Sequence, residues 1–206
     1  MRILRRRTFL AGGATAAAGL FAACSDTSAR STGVAAGAPA ERSMPRSDAD
    51  IATLGAGIEI LLAGTYRSLR DRLDGGAFGR VPPGMDEYVR VAMTHHEEHG
   101  RLWQDLLRKT GRPAVTHANP QLAPVVELQL GAVKDLDDAA RLALGLESIA
   151  ADTYLRSMTE AVGVDTARSA ARIGIVEQEH QAFLLLALGQ YPAPDSLMRP
   201  EKAVTP

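Results

Sequence analysis

The 206-residue sequence contains a single cysteine, Cys24. One thiol excludes an internal disulfide framework and a thiolate zinc site, which leaves His and carboxylate side chains as possible metal ligands. Aromatic residues make up only 4% of the chain, and runs of β-branched or aromatic residues at period two are absent. Alanine, in contrast, occurs 35 times, and alanine and leucine cost little free energy in a helix. The composition therefore predicts packed helices rather than a β-sandwich or barrel.

Positive and negative charges are nearly balanced. Lys and Arg number 23, Asp and Glu number 24, and the formal net charge is −1. Without a basic surplus the chain lacks the electrostatic attraction that supplies most non-specific affinity for nucleic acid. We therefore expect no nucleic-acid partner.

The N-terminal residues have the composition of an export signal. The first seven residues carry four arginines and no acid, and residues 9–23 are apolar or small apart from one Thr. Such a run is shorter than the ~20 residues of a membrane-spanning helix, so residues 1–23 are expected to be a signal peptide. The segment RRTFL, residues 6–10, resembles the twin-arginine export motif. The resemblance implies that the twin-arginine translocase recognises Arg6 and Arg7 and exports the folded protein, often with its cofactor already loaded.

The apolar run ends in LFAAC, residues 20–24, which resembles a bacterial lipobox and implies lipidation of Cys24. Phe21 stands where Leu is usual, and the alternative is an ordinary cleavage site beside an incidental cysteine. Residues 24–47 are rich in small and polar residues and are predicted to be a disordered tether. We expect an exported protein in the periplasm or on the outer face of the cell membrane, attached to the membrane through a lipid anchor.

Beyond the tether, apolar residues recur at helical spacing in four segments. Ser47 and Asp50 resemble a capping box at the start of the first segment, and Asp165 is a candidate N-cap of the fourth. Glycines follow the ends of the segments, as is usual at helix C-termini. The predicted helices cover residues 48–73, 85–110, 136–162 and 166–189.

The connections between these helices predict their arrangement. Three prolines interrupt residues 112–134, a long connection in which Val125 to Val133 can form one or two helical turns. The short loop at Gly163 makes the last two helices antiparallel neighbours. Two helical hairpins joined by one long crossover predict an all-α four-helix bundle over residues 48–190. The proline-rich residues 191–206 are predicted to be a disordered tail.

The two predicted hairpins repeat one another. The pattern G-[IL]-E-x3-A-x-T-Y occurs around Glu59 and Tyr66 and again, 88 residues later, around Glu147 and Tyr154. The second and fourth helices also match, because the segment EEH ending at His99 aligns with QEH, 81 residues later. A duplicated hairpin places equivalent residues around a pseudo-twofold axis in the centre of the bundle.

The repeated positions combine carboxylate and imidazole groups with apolar neighbours. Glu177 and His180 are three residues apart and project side by side, and His96 and His99 take the same places in the second helix. A buried carboxylate is costly unless it is paired or bound to metal. Without metal, burial and mutual crowding are expected to keep these carboxyl groups protonated. The carboxylates in question are Glu59, Glu147 and Glu177.

These residues resemble the ferritin-like superfamily of di-iron and di-manganese proteins over residues 48–189. That family combines one Glu from each of two helices with Glu-x-x-His from each of the other two. The resemblance implies that the hydroxyl groups of Tyr66 and Tyr154 bond to ligand carboxylates. The resemblance carries over to five positions, and the internal repeat adds a sixth candidate ligand, His96. The five positions are Glu59, His99, Glu147, Glu177 and His180.

His96 departs from the family pattern, because the family has a bridging Glu at this position. His95, four residues before His99, remains an alternative ligand, whereas the repeat aligns His96 with Glu177. Glu97, Glu98 and Glu179 fall on other helix faces and are expected to be solvated, and His117 in the crossover is expected at the surface.

The resemblance implies a divalent metal cofactor, with Fe first and Mn or Zn as alternatives. The implied chemistry is oxidation of Fe(II), or disposal of peroxide or oxygen. A membrane tether argues against a storage shell and favours a monomer or small homo-oligomer. Because His96 replaces a Glu, a second hypothesis stays open, in which the bundle is a metal-free structural or protein-interaction module with a decayed site.

Overall fold

The computed structural model describes residues 47–204. Arg6, Arg7 and Cys24, with the predicted signal peptide and nearly all of the predicted tether, lie outside the described residues. Within the described part the chain forms helices and no strand, so the predicted all-α fold is confirmed. The helices are α1 (Asp48–Asp74), α2 (Pro83–Lys109), α3 (Ala123–Ala132), α4 (Leu136–Glu160) and α5 (Val164–Ala187). Across residues 47–204, none of these helices combines the length and apolarity that a membrane crossing requires.

Two of the four long helices begin with a side-chain N-cap. The Ser47 hydroxyl accepts the backbone N–H of Asp50 at 3.2 Å, and the Asp50 carboxylate accepts the backbone N–H of Ser47 at 3.3 Å. The predicted capping box is therefore present. Asp135 caps α4 by accepting the backbone N–H of Asp138 at 2.8 Å.

The other two long helices begin earlier than the sequence predicts. α2 begins at Pro83, which fits a first helical turn because that position needs no N–H donor. α5 begins at Val164 with Gly163 as its N-cap, so the prediction of Asp165 as the cap is wrong. Asp165 lies in the first turn instead and accepts from Arg168 at 2.9 Å, where its charge still suits the helix dipole.

Two antiparallel hairpins, α1 with α2 and α4 with α5, pack into the bundle, with α1 against α4 and α2 against α5. The close approach of α1 to α2 depends on Gly55. A Cβ at this position would lie 2.7 Å from the ring of Trp103, which is fully buried. The indole N–H of Trp103 donates to the hydroxyl of Tyr154 at 3.3 Å, so this packing also links the two hairpins.

The crossover between α2 and α4 is attached to the bundle near its centre. The backbone N–H of Asn119 donates to the carbonyl of Gly57 at 2.9 Å, two residues before Glu59. The Asn119 side chain accepts the N–H groups of Gln121 and Leu122 and so organises the turn before α3. α3 has ten residues and exceeds the one or two turns that the sequence predicts.

The described tail, residues 191–204, contains no helix, but its end is joined to α4. The backbone N–H of Val204 donates to the hydroxyl of Thr153 at 2.9 Å, and that of Lys202 donates to Asp152 at 2.9 Å. Val204 is itself buried. The part of the tail in the structure thus differs from the disordered segment expected from its prolines, because backbone groups find partners on α4.

Candidate metal centre

Three carboxylates and three imidazoles, which the four long helices supply, meet in the middle of the bundle. The four central side chains are fully buried, whereas those of His99 and His180 are 13% and 6% exposed. The six residues are the ones that the sequence singles out. They are Glu59 of α1, His96 and His99 of α2, Glu147 of α4, and Glu177 and His180 of α5.

The Glu59 carboxylate lies against both imidazoles of α2. One of its oxygens is 2.8 Å from His96 Nδ1, and the other is 3.7 Å from His99 Nδ1. Gly100 of α2 lies next to Glu59, and a Cβ added there would be at ordinary contact distance, 3.5 Å, from the Glu59 side chain. The first hairpin therefore forms one side of the cluster.

The Glu147 carboxylate forms the other side. Its Oε1 is 3.2 Å from His96 Nε2, and its Oε2 is 3.3 Å from His180 Nδ1. His96 thus has one carboxylate on each ring nitrogen, with Glu59 at Nδ1 and Glu147 at Nε2. Its ring is stacked on Tyr66, with the centroids 5.3 Å apart, which holds the imidazole in place.

Glu177 lies between the two sides and has no satisfactory hydrogen bond. Its Oε1 is 3.0 Å from His99 Nδ1, and its Oε2 is 3.3 Å from His180 Nδ1. The geometry nevertheless leaves both carboxylate oxygens and His99 Nδ1 buried without a hydrogen-bond partner. Buried polar atoms without partners are rare in native proteins and call for an explanation such as a bound ion. These atoms therefore fit a metal, which would supply the missing interactions.

Two tyrosines join the halves of the repeat across the pseudo-twofold axis. The Tyr66 hydroxyl of α1 donates to Glu147 of α4, and the Tyr154 hydroxyl of α4 donates to Glu59 of α1. Each tyrosine thus orients the carboxylate of the other hairpin. Supporting hydrogen bonds of this kind fix the orientation of ligand side chains.

Sequence reasoning missed Tyr88, whose hydroxyl is 2.7 Å from that of Tyr66 and whose ring is stacked on Phe183 at 4.4 Å. Tyr88 lies on α2, eight residues before His96. That spacing is about two helical turns and could have placed the two residues on one face.

The imidazoles carry the protons in the metal-free cluster. Burial alone would lower the pKa of His96, but the charges of Glu147 and Glu177 outweigh it and raise the pKa well above its usual value. Burial opposes the positive charge of His99 and His180 as well, yet the neighbouring carboxylates, at 3.0 Å from His99 Nδ1 and 3.3 Å from His180 Nδ1, raise the pKa of each to about 9.

The expectation of protonated carboxyl groups is wrong for two of the three glutamates. Burial alone would raise the pKa of Glu59 and Glu147, but the neighbouring imidazoles outweigh burial and lower both pKa values. Only at Glu177 does burial prevail and raise the pKa. The expectation overlooked the imidazoles, which lie 2.8 Å from Glu59 and 3.2–3.3 Å from Glu147.

The remaining polar residues of the repeat lie outside the cluster. Glu98 and Glu179 are exposed, Glu97 pairs with Arg67 at 2.6 Å, and His117 is exposed in the crossover. These positions agree with the sequence expectation. His95, the alternative to His96, does not reach the carboxylates; its Nδ1 is 3.1 Å from Nε2 of His180, behind the cluster.

The donor set has the spacing of cation sites. Two groups of four ligand atoms each lie within 4.8 Å of one another, one from Glu59, His96, His99 and Glu177 and the other from His96, Glu147, Glu177 and His180. Carboxylate oxygens and imidazole nitrogens together suit divalent first-row metals such as Fe and Zn.

Comparison with known families agrees with this geometry. The family model described as a ferritin-like domain matches residues 47–190, which includes all four long helices and every residue of the cluster. No curated protein matches the sequence.

Proposed function

This chain belongs to the ferritin-like domain family, and we propose that it binds divalent metal, iron foremost, at the Glu/His cluster for redox chemistry. The observation that carries the proposal is the state of Glu177. This fully buried carboxylate has two oxygens without hydrogen-bond partners, directed into a cluster of imidazoles and carboxylates. A buried polar group whose hydrogen bonds are unmade costs about 1–3 kcal/mol of stability, and a metal ligated by Glu177 would remove that cost.

The proposed reaction is oxidation of Fe(II), or reduction of peroxide or oxygen. A bound iron would supply one-electron redox chemistry and open coordination positions for the oxidant. The chain's own contribution is to fix the carboxylates through Tyr66 and Tyr154 and to exclude bulk water by the burial of both tyrosines. Small molecules would reach the centre between α2 and α5, because only His99 and His180 are partly exposed.

Location and assembly belong to the same proposal. The twin-arginine-like RRTFL segment and the lipobox-like LFAAC segment support export through the twin-arginine translocase and lipid anchoring at Cys24. The protein would then act outside the cytoplasm, in the periplasm or on the outer face of the cell membrane. A lipid-anchored domain suits a monomer or small homo-oligomer, and the near-neutral composition gives no reason to propose a nucleic-acid partner.

One observation favours a second function, that of a metal-free structural or interaction bundle. His96 makes close contacts with Glu59 and Glu147 through both ring nitrogens. As an imidazolium it would neutralise part of their charge without metal. This alternative accounts for Glu59 and Glu147 but leaves both oxygens of Glu177 without a hydrogen bond.

Thermal unfolding with and without metal separates the two functions. The test compares wild-type protein with Glu177→Gln, using Glu179→Gln as the matched control on the exposed face of the same helix. If the centre binds metal, Fe(II), Mn(II) or Zn(II) raises the Tm of wild type and of the control. A metal at 1,000 times its Kd stabilises by about 4 kcal/mol.

The Glu177→Gln variant tests the ligand directly. With metal it should gain little, because a ligand is missing. Oxygen and peroxide consumption with Fe(II) should fall in the same variant alone. A Tm of the wild type that is indifferent to all three metals would support the metal-free function instead.

A further inference from the structure

His96 stands where the family pattern has a bridging glutamate. In the repeat His96 corresponds to Glu177 of α5, and in the bundle the two side chains lie in the middle of the cluster. His96 and Glu177 are the two residues common to both groups of candidate ligands. The other four residues divide between the groups, with Glu59 and His99 in one and Glu147 and His180 in the other.

Each group has its own nitrogen of His96 and its own oxygen of Glu177. In the first group His96 Nδ1 is 2.8 Å from Glu59 and 3.9 Å from Glu177 Oε1, which is itself 3.0 Å from His99 Nδ1. In the second group His96 Nε2 is 3.2 Å from Glu147 Oε1. His180 Nδ1 is 3.3 Å both from Glu147 Oε2 and from Glu177 Oε2.

These distances are close to those of metal coordination. With metal–ligand bonds of about 2.0–2.1 Å, the ligand atoms of a tetrahedral site are about 3.3 Å apart. The distances given above run from 2.8 to 3.9 Å, and the four ligand atoms of each group lie within 4.8 Å of one another, so side-chain adjustments would bring each group to this spacing. Resting on the proposed function, we infer that His96 bridges two metal positions, with one divalent cation on each ring nitrogen and Glu177 as the second bridge.

The charges of the chain match this arrangement. For each ring nitrogen of His96 to bind a cation, the imidazole must lose both N–H protons to solvent. The ring then carries a charge of −1. Together with Glu59, Glu147 and Glu177 the bridging ring contributes four negative charges, which equal the charge of two divalent cations. The buried centre is then neutral, as a site without exposed counter-charges requires. The stacked Tyr66 ring, 5.3 Å away, keeps His96 between the two positions.

The first test titrates Co(II) or Zn(II) into metal-free protein and measures the number bound per chain and the affinity of each step. The inference predicts two ions in wild type. His99→Ala should weaken one step, His180→Ala should weaken the other, and His96→Ala or His96→Gln should weaken both. His117→Ala is the control and should keep two ions, because His117 is exposed in the crossover, outside the cluster.

The second test needs no variant and locates the metals in crystals of the loaded protein by anomalous scattering. Two peaks on opposite sides of the His96 ring, farther apart than the about 4 Å usual for two-metal centres, would support the bridge. One ion per chain, two ions with only one on His96, or a His96 variant that weakens a single step would overturn it while leaving the metal centre intact. The absence of any metal in wild type would overturn the proposed function as well.

Discussion

The stability of the metal-free protein should fall as the pH rises from about 6.5 to 9. His99 and His180 have a pKa of about 9 in the folded protein, against 6.5 as the ordinary value. A group with a raised pKa stabilises the fold fully below its unfolded pKa, and this stabilisation is lost as the pH passes the folded pKa. Within the window the folded state therefore binds more protons than the unfolded state, and stability declines.

The magnitude follows from the number of protons. Each imidazole that is protonated only in the folded state lowers the free energy of unfolding by about 1.4 kcal/mol per pH unit. For two such groups the decline between pH 7.5 and 8.5 is about 2–3 kcal/mol. At the size of this domain the Tm should fall by roughly 5–10 °C.

Other groups around the cluster do not reverse the sign. Glu59 and Glu147 have lowered pKa values and titrate below the window, and burial lowers the pKa of His95 from 6.5. The raised pKa values of His96 and Glu177 act in the same direction as those of His99 and His180.

Urea unfolding followed by circular dichroism, in chelator at pH 7, 8 and 9, measures this decline. Adding saturating Zn(II) should flatten the profile, because metal rather than protons then occupies the nitrogens. His99→Asn and His180→Asn should each reduce the slope, and the exposed control His117→Ala should not. A metal-free stability that is constant or rises between pH 7 and 9 would refute the charge assignment.

Four further predictions concern packing and export. Gly55→Ala should destabilise the protein by about 1–3 kcal/mol through overpacking against the indole ring, as measured by urea unfolding. Gly145→Ala, in open space at an exposed position of a helix, should stabilise it by about 0.5–1 kcal/mol. Cys24→Ser should release the protein from the membrane fraction, and unchanged fractionation would argue against the lipid anchor. Replacing both Arg6 and Arg7 with Lys should retain it in the cytoplasm, and continued export would exclude the twin-arginine route.

The fold could be predicted because the sequence repeats itself and marks its helix ends. The repeat around Glu59 and Glu147 placed two helices in equivalent positions, and the crossover length set the order of the hairpins. The start of α5 could not be predicted in the same way, because Asp48 at the distant start of α1 already binds the backbone N–H groups of Val162 and Gly163. Only tertiary contacts show that a residue before Asp165 begins the helix.

The members of the cluster could be predicted from helical spacing, but their protonation could not. Spacing shows that Glu59 and Glu147 share the centre with imidazoles, whereas the sign of each pKa shift depends on distances such as the 2.8 Å between Glu59 and His96. The contact between His95 and His180 is likewise set by the packing of α2 against α5. The unpartnered state of Glu177 requires the same three-dimensional information.

The metal content of protein isolated after its native export tests the central claim most directly. Cells replete in iron, manganese and zinc would express wild type, Glu177→Gln and the exposed control Glu179→Gln, and elemental mass spectrometry would count metal per chain. The account predicts stoichiometric metal in wild type and in the control, and little in Glu177→Gln, which loses the ligand common to both groups. A wild-type protein that is folded and carries no metal would contradict it.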